Sequence, residues 1–227
     1  MSVVIRRYEI EETDSTQILA KKIINQNIYI DHVVSILAHK QRCGYGRKKQ
    51  LFFSEGGMYF SIIIPKKHTK IPTWQYVYLV PIAIEKTLLS IGDFDISYKW
   101  PNDIMHESRK ISGIIIECFL SCIIVGIGIN IKPVPDFEYP TACIEEIVTG
   151  DIDKSDMVNI ITSFILNTNL SWAEIRVKWL LKSFKLGDVV QIDRTTGTFI
   201  GIDIDTGSIL LQVDSKIIDF KVGNMIV

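Results

Sequence analysis

The sequence is short of several things that would have pointed elsewhere. No sign of charge dominates: 25 Lys plus Arg stand against 26 Asp plus Glu, a formal net charge of -1. Nucleic acid as a bulk partner is not expected from that balance, so any basic function has to be local. The four cysteines, Cys43, Cys118, Cys122 and Cys143, show no Cys-x-x-Cys pairing and have no histidine beside them, which removes zinc from consideration. The opening "MSVVIRRYEIEETDST" carries charges too early for a signal peptide and has no small-residue cleavage site after an apolar core. Reduced thiols in a cytosol-like compartment are therefore expected. Repeats, low-complexity segments and long linkers are missing, and so are the spacings of the P-loop and of the dinucleotide fingerprint. The most apolar run, "GIIIECFLSCIIVGIGINI" (113–131), is long enough to raise a membrane question, but Glu117, three glycines and Ser121-Cys122 divide it. It reads as two buried strands joined by a tight turn.

What remains is a chain of 227 residues, 47% hydrophobic and 22% charged, the balance of a folded globular protein with room for one large domain and a small satellite. Up to about residue 183, strand-like and helix-like runs alternate. "VVIRRYEI", "HVVSILAHK", "GMYFSIIIP" and "FDISYKW" read as strands. "DSTQILAKKIINQ" reads as a helix capped by Asp14 or Ser15. "PTWQYVYLVPIAIEKTLLSIG" has a helical period, and Pro81 is expected to kink that helix or displace its start. The stretch 155–184 predicts one or two amphipathic helices. From Lys185 the pattern changes to four short strands with closely spaced turns, which predicts a small β-barrel docked on the larger part.

Four constellations carry chemistry. "KQRCGYGRKKQ" (40–50) sets five basic residues around Gly44 and Gly46. The glycines allow close backbone approach to a ligand, and Arg47, Lys48 and Lys49 offer donors to phosphate or carboxylate. Taken alone, this segment is more simply a solvated loop. In "YKWPNDI" (98–104), Lys99 suits a phosphate, Asn102 its orientation, and Asp103 either Mg²⁺ or a proton; a well-made turn is the competing account. In "SRKISGIIIE" (108–117), Lys110 precedes a buried strand whose Gly113 marks a bulge or a close approach, and Glu117 reads as a paired or edge residue. In "VGIGINI" (125–131), Gly126 and Gly128 offer either a pocket floor or close packing under a helix.

The order "DSTQ", "QRCGYGR", "GMYFS", "KWPNDI", "RKISG", "GIGIN", collinear from Asp14 to about Asn130, resembles the biotin protein ligase family, in its short form without an N-terminal DNA-binding domain. The β-rich end resembles that family's SH3-like C-terminal domain. The resemblance implies an α+β fold: a mixed-sheet catalytic domain with flanking helices, like the class II aminoacyl-tRNA synthetases, over residues 1–183, and the SH3-like barrel over 184–227. It implies an enzyme that makes biotinyl-5'-AMP from biotin and ATP with Mg²⁺, then passes biotin to a lysine of a biotin carboxyl carrier protein. Ser15, Thr16, Gln17 and Gln41 match biotin contacts, and Tyr45, Gly46 and Arg47 the loop covering biotin and adenylate. Lys110 matches the lysine that meets biotin's carboxylate and the reacting phosphate, with Gly113 beside it. Lys99, Asn102 and Asp103 fall on the nucleotide and metal side, Asp103 also as helper to the incoming lysine. Gly126 matches the pocket floor and Asn130 an ATP contact. The catalytic residues implied are Lys110, Arg47 and Asp103.

This chain departs from the pattern at Gln17, where Asn is frequent, and at Tyr45, where Arg or His is. It also has Lys49-Gln50 for Gly-Arg, and Phe52 where Trp is frequent; Phe52 can still stack on adenine as an ATP contact. Two other readings share the motifs: a lipoate or octanoyl ligase of the same superfamily, and a biotin-binding regulator without catalysis. With the chain starting at the first strand, a DNA-binding role is not expected, nor is a membrane. A cytoplasmic setting is expected, and a homodimer is admitted, for which an exposed strand near the loop would serve.

Overall fold

A computed structural model describes residues 4–26, 30–52, 54–134 and 140–226. Seven strands form the main sheet: β1 (Ile5–Thr13), β2 (Val33–Gln41), β3 (Gly57–Pro65), β4 (Ile96–Lys99), β5 (Asp103–His106), β6 (Arg109–Phe119) and β7 (Cys122–Asn130). Their order is β1-β2-β3-β7-β6-β5-β4, with β1 parallel to β2 and all other neighbours antiparallel. Four helices accompany it: α1 (Thr16–Gln26), α2 (Tyr76–Leu89), α3 (Lys154–Asn167) and α4 (Trp172–Leu181). The fold is α+β, as the sequence implied.

The central strands are covered on both faces, and their sequences record it. β3, "GMYFSIIIP", is buried at every position. Met58, Phe60, Ile62 and Ile64 belong to the large core with α2 and α3, while Ile63 joins Ala20 and Ile24 of α1 in a smaller one. A strand buried on both sides reads as a continuous apolar run rather than an alternation. In β7, Ile123, Val125, Ile127 and Ile129 face the large core; Cys122 and Ile124 face α1. On that second face the residues then become Gly126, Gly128 and Asn130, so the cover thins to glycine where the strand runs past the helix.

Pro81 lies inside α2, which runs unbroken from Tyr76 behind a short 3₁₀ turn at Thr73–Gln75. Its ring leaves the Val77 carbonyl without the usual helical donor, and the packing of a helix buried at ten of its positions maintains the run. The amphipathic stretch 155–184 is two helices: Asp153 caps α3, and a reciprocal Ser171/Glu174 capping box opens α4.

The remaining strands, β8 (Val189–Ile192), β9 (Thr195–Ile202), β10 (Ile209–Val213), β11 (Lys216–Phe220) and β12 (Met225–Ile226), make an antiparallel sheet in the order β11-β10-β9-β8-β12. Among the described residues no pairing joins β12 to β11, so the ladder is an open five-stranded one. This unit is clamped to the helices. Trp172 Nε1 donates to the Ile204 carbonyl, Arg176 Nε to the Ile202 carbonyl at 2.6 Å, and the Tyr78 hydroxyl to the Gly207 carbonyl. Gly207, at φ +70, lies against the Trp74 ring, where a side chain has no room. The connection from α4 pairs with β4: Tyr98 N–H donates to Lys182 O at 2.7 Å, and Phe184 N–H to Tyr98 O at 2.8 Å.

Candidate active site

A cleft of about 640 Å³ opens where α1 leaves the sheet uncovered. Its floor is a set of cross-strand pairs on one face: Gly113 opposite Gly128, and Ile115 opposite Gly126. Each glycine makes room for a particular side chain. A Cβ on Gly128 would stand 2.6 Å from the Phe52 ring, and one on Gly126 would stand 2.8 Å from Gln17 Cδ and 2.7 Å from Ile115 Cγ2. Phe52 thus lies over one end of the floor and Gln17 over the other. The floor accounts for the glycines that the sequence left divided between pocket and packing.

At the Gln17 end a chain of hydrogen bonds links Thr16, Gln17, Gln41, Ser54 and Ser61. Gln41 Oε1 accepts from the Thr16 N–H at 2.8 Å, and Gln41 Nε2 donates to Ser54 Oγ at 3.1 Å. Ser61 Oγ lies 2.8 Å from both Thr16 Oγ1 and Gln17 Oε1. Ser15, Thr16 and Gln17 are buried here at the start of α1. Ser61, the last residue of "GMYFS", has no role in the sequence reading; its polar side chain in the middle of an apolar strand was the available signal. The basic loop closes this end. Gly44 sits so near Gln41 and Ser54 that a Cβ there would lie 2.7 Å from Gln41 Nε2. Gly44 is thus a close-approach position, whereas a Cβ on Gly46 would come no nearer than 3.9 Å, to the Gln50 carbonyl; the left-handed conformations of the loop fall on Lys48 and Lys49, at φ 52 and 58, whose side chains are exposed.

At the other end charges converge. Lys110 Nζ lies 2.7 Å from Asp103 Oδ1, both largely buried, and Lys99 and Arg47 complete the group. Burial holds the Arg47 guanidinium and the Lys99 ammonium below their ordinary pKa values, with Asp103 working in the opposite direction on both. Three cations around one carboxylate, half removed from water, have the electrostatics of an anion site. Lys110 is fixed from two sides, since its N–H donates to Pro140 O and its carbonyl accepts from Ala142 N–H, both at 2.9 Å. Asn102 donates to Ile114 O at 3.2 Å, and its Oδ1 lies 3.5 Å from Arg47. Arg47 itself reaches the C-terminal unit: it donates to Gly223 O and to Asn224 Oδ1, each at 2.9 Å. Asn224, Met225, Ile226 and Phe184 line the cleft, and none of them figured in the sequence reading.

Of the residues named from sequence, Ser15, Thr16, Gln17, Gln41, Tyr45, Gly46, Arg47, Phe52, Lys99, Asn102, Asp103, Lys110, Gly113 and Gly126 all line this cleft. Asn130 lies behind it, its Nδ2 donating to the backbone oxygens of Lys110 (3.2 Å) and Ala142 (3.0 Å). Among the described residues no three His, Cys, Asp or Glu side chains converge as a metal-binding group.

A long cleft with a polar, hydrogen-bonded end and a cationic end defines a protein that binds an acid and an anionic activating group together. The chain belongs to the biotin/lipoate A/B protein ligase family, whose description matches residues 9–131. It is 26% identical over 226 residues to the bifunctional ligase/repressor BirA of Bacillus subtilis, covering 89% of this chain and 68% of that protein. It is 25% identical over 200 residues to the biotin--[acetyl-CoA-carboxylase] ligase of Paracoccus denitrificans, covering 78% and 83%. The structure of the biotin protein ligase of Aquifex aeolicus, in complex with biotin and ATP, superposes with a TM-score of 0.82 at 25% identity over 97% of both chains.

Proposed function

We propose that this protein is an ATP-dependent biotin–[biotin carboxyl carrier protein] ligase. The observation that carries the reading is the two-ended cleft, with its hydrogen-bonded head site at Ser15, Thr16, Gln17 and Gln41 and its cation cluster at Arg47, Lys99 and Lys110. In the first step a carboxylate oxygen of biotin attacks the α-phosphorus of ATP. The bond to the β-phosphate oxygen breaks, giving biotinyl-5'-AMP and pyrophosphate. Two anions have to meet, and Lys110 and Arg47 offset their repulsion as charge builds on the phosphate. In the second step the ε-amine of the acceptor lysine attacks the acyl carbon. An amide forms, AMP leaves, and one proton is released; the reading gives Asp103 the role of taking it.

Tyr45, Gly46 and Arg47 cover the mixed anhydride and keep water from it. Phe52 offers its ring to adenine above Gly113 and Gly128. Asn130 serves the ATP end through the Lys110 backbone that it holds. Mg²⁺ fits this site as an ion carried by the triphosphate, with Asp103 the protein carboxylate within the cleft; it would neutralise the phosphates. The same reading divides the chain at residues 183 and 184 into a catalytic part and a C-terminal part that closes the cleft. It gives the protein a cytoplasmic setting and a biotin carboxyl carrier partner, with no part for DNA or membrane; a homodimer is compatible with it. Incubation with labelled biotin, MgATP and a biotin carboxyl carrier domain tests this reading, beside parallel reactions with lipoate and octanoate. Label on the carrier from biotin alone is expected; transfer of lipoate or octanoate in its place would overturn the biotin assignment.

A further inference from the structure

Glu117 stands in the apolar run of β6, with Gly113 and Ile115 on the same face of the strand. It lies outside the cleft lining, yet it binds two residues that are part of it. Its Oε2 accepts from Gln17 Nε2 at 2.8 Å and from the Tyr45 hydroxyl at 3.1 Å. Its Oε1 pairs with Lys21 Nζ at 2.7 Å, and Lys21 donates in turn to the Tyr45 hydroxyl at 3.2 Å. Three side chains, two from α1 and one from the basic loop, therefore meet at the half-buried carboxylate of β6. Burial disfavours the Lys21 ammonium, but Glu117 and Tyr45 more than offset it and hold its pKa above the ordinary value.

The consequence concerns the amide of Gln17. A carboxylate accepts and never donates, so Gln17 turns its Nε2 to Glu117 and its Oε1 to the Ser61 hydroxyl. The amide cannot flip without facing oxygen to oxygen. Of its two N–H groups one is taken, which leaves one donor for a ligand lying on Gly126. The same carboxylate holds the Tyr45 side chain, and with it the loop, against α1.

We propose that Glu117, charge-balanced by Lys21 and tied to the loop through Tyr45, is a positioning residue that fixes the Gln17 amide for the polar head of the acyl substrate. This rests on the reading of the cleft as an acid-activating site with its head end at Gln17. Neither Glu117 nor Lys21 touches substrate.

The test is acid-dependent ATP–pyrophosphate exchange by the full chain, comparing wild type, Glu117→Gln, Tyr45→Phe and the double variant Lys21→Met/Glu117→Gln. Glu117→Gln is expected to raise KM for the acid by about 10- to 100-fold, the range for hydrogen bonds to a charged group. KM for ATP and kcat should stay within about twofold. The double variant, which removes the stranded ammonium along with the carboxylate, should recover a large part of that loss. Tyr45→Phe should raise KM for the acid by about 10-fold, the low end of that range, because it removes the loop's bond to the Glu117 carboxylate and leaves the Gln17 bond in place. An equal rise in both KM values, an unchanged KM for the acid, or a double variant no better than the single one would overturn the proposal. Wild type is assayed with biotin and with lipoate. If it activates lipoate alone, the proposed function falls and the latch is judged on lipoate by the same ratios; if it activates neither, both fall.

Discussion

Arg47 and Asn224 are 177 residues apart in the chain, and the Arg47 guanidinium donates to the Asn224 side-chain oxygen at 2.9 Å. The loop between β2 and β3 and the connection before β12 thus meet across the mouth of the cleft, joined by a cation that burial has partly stripped of water. Asn224→Ala removes one of the two hydrogen bonds that Arg47 makes to the C-terminal unit among the described residues and leaves the one to the Gly223 carbonyl. A hydrogen bond to a charged group is worth about 1.5–3 kcal/mol. The variant should therefore let the acyl-adenylate escape roughly 10-fold faster, read as free adenylate accumulating in solution, with little change in the melting temperature.

Lys110 and Asp103 are 2.7 Å apart, and the proposed function gives each of them a different chemical step. Lys110→Ala should slow pyrophosphate release by about 10²- to 10³-fold, the usual loss when one preorganised stabiliser of transition-state charge is removed. Asp103→Asn keeps shape and should slow transfer from preformed adenylate to the carrier lysine more than it slows adenylate formation. Single-turnover measurements of each step check this. A slowdown of adenylate formation alone would remove Asp103 from the proton transfer.

The two floor glycines predict opposite selectivities. In Gly126→Ala the new methyl meets Ile115 and Gln17, and in Gly128→Ala it meets Phe52. Overpacking of this kind costs about 1–3 kcal/mol, or roughly 5- to 150-fold. Gly126→Ala should raise KM for biotin and spare that for ATP, and Gly128→Ala should do the reverse. Steady-state kinetics with each substrate varied in turn decides it.

High pH should unfold the protein through its tyrosines. Burial pushes Tyr59 and Tyr76 up to about 12, and raises Tyr78 and Tyr98 further. A group whose folded pKa lies above its unfolded value of about 10 contributes stability that is complete below pH 10 and lost as pH climbs toward 12. Tyrosinate absorbance should therefore rise in one cooperative step together with loss of near-ultraviolet circular dichroism. Independent titration of these tyrosines near pH 10 in folded protein would contradict their burial.

Strands and helices with strong periodicity were legible in the sequence; pieces whose identity depends on a distant partner were not. β3 was readable to its ends, because nine buried positions in a row leave one apolar block. β5 was not, since Asp103–His106 follows a proline turn and has only four residues, made a strand by pairing with β4 on one side and β6 on the other. β12 has two residues and exists through its pairing with β8. Likewise, fourteen residues named from motifs line the cleft, all of them between Ser15 and Gly126. Phe184, Asn224, Met225 and Ile226 bear no motif and reach the cleft only because the C-terminal unit is clamped onto the helices. Glu117 was read as a paired or edge residue from its apolar surroundings; it is paired, and its partners came from two other elements.

The backbone pairing of residues 182–184 with Tyr98 makes the tether between the two parts an extra rung of the main sheet. Trp100 to Asp103 begin one residue after the end of β4. A turn of the C-terminal unit would therefore pull on the segment that carries Asn102 and Asp103, much as a lever fixed beside its own fulcrum. Cutting the chain at this boundary would not yield a catalytic part that merely lacks an appendage; it would release the sheet edge on which that segment is mounted.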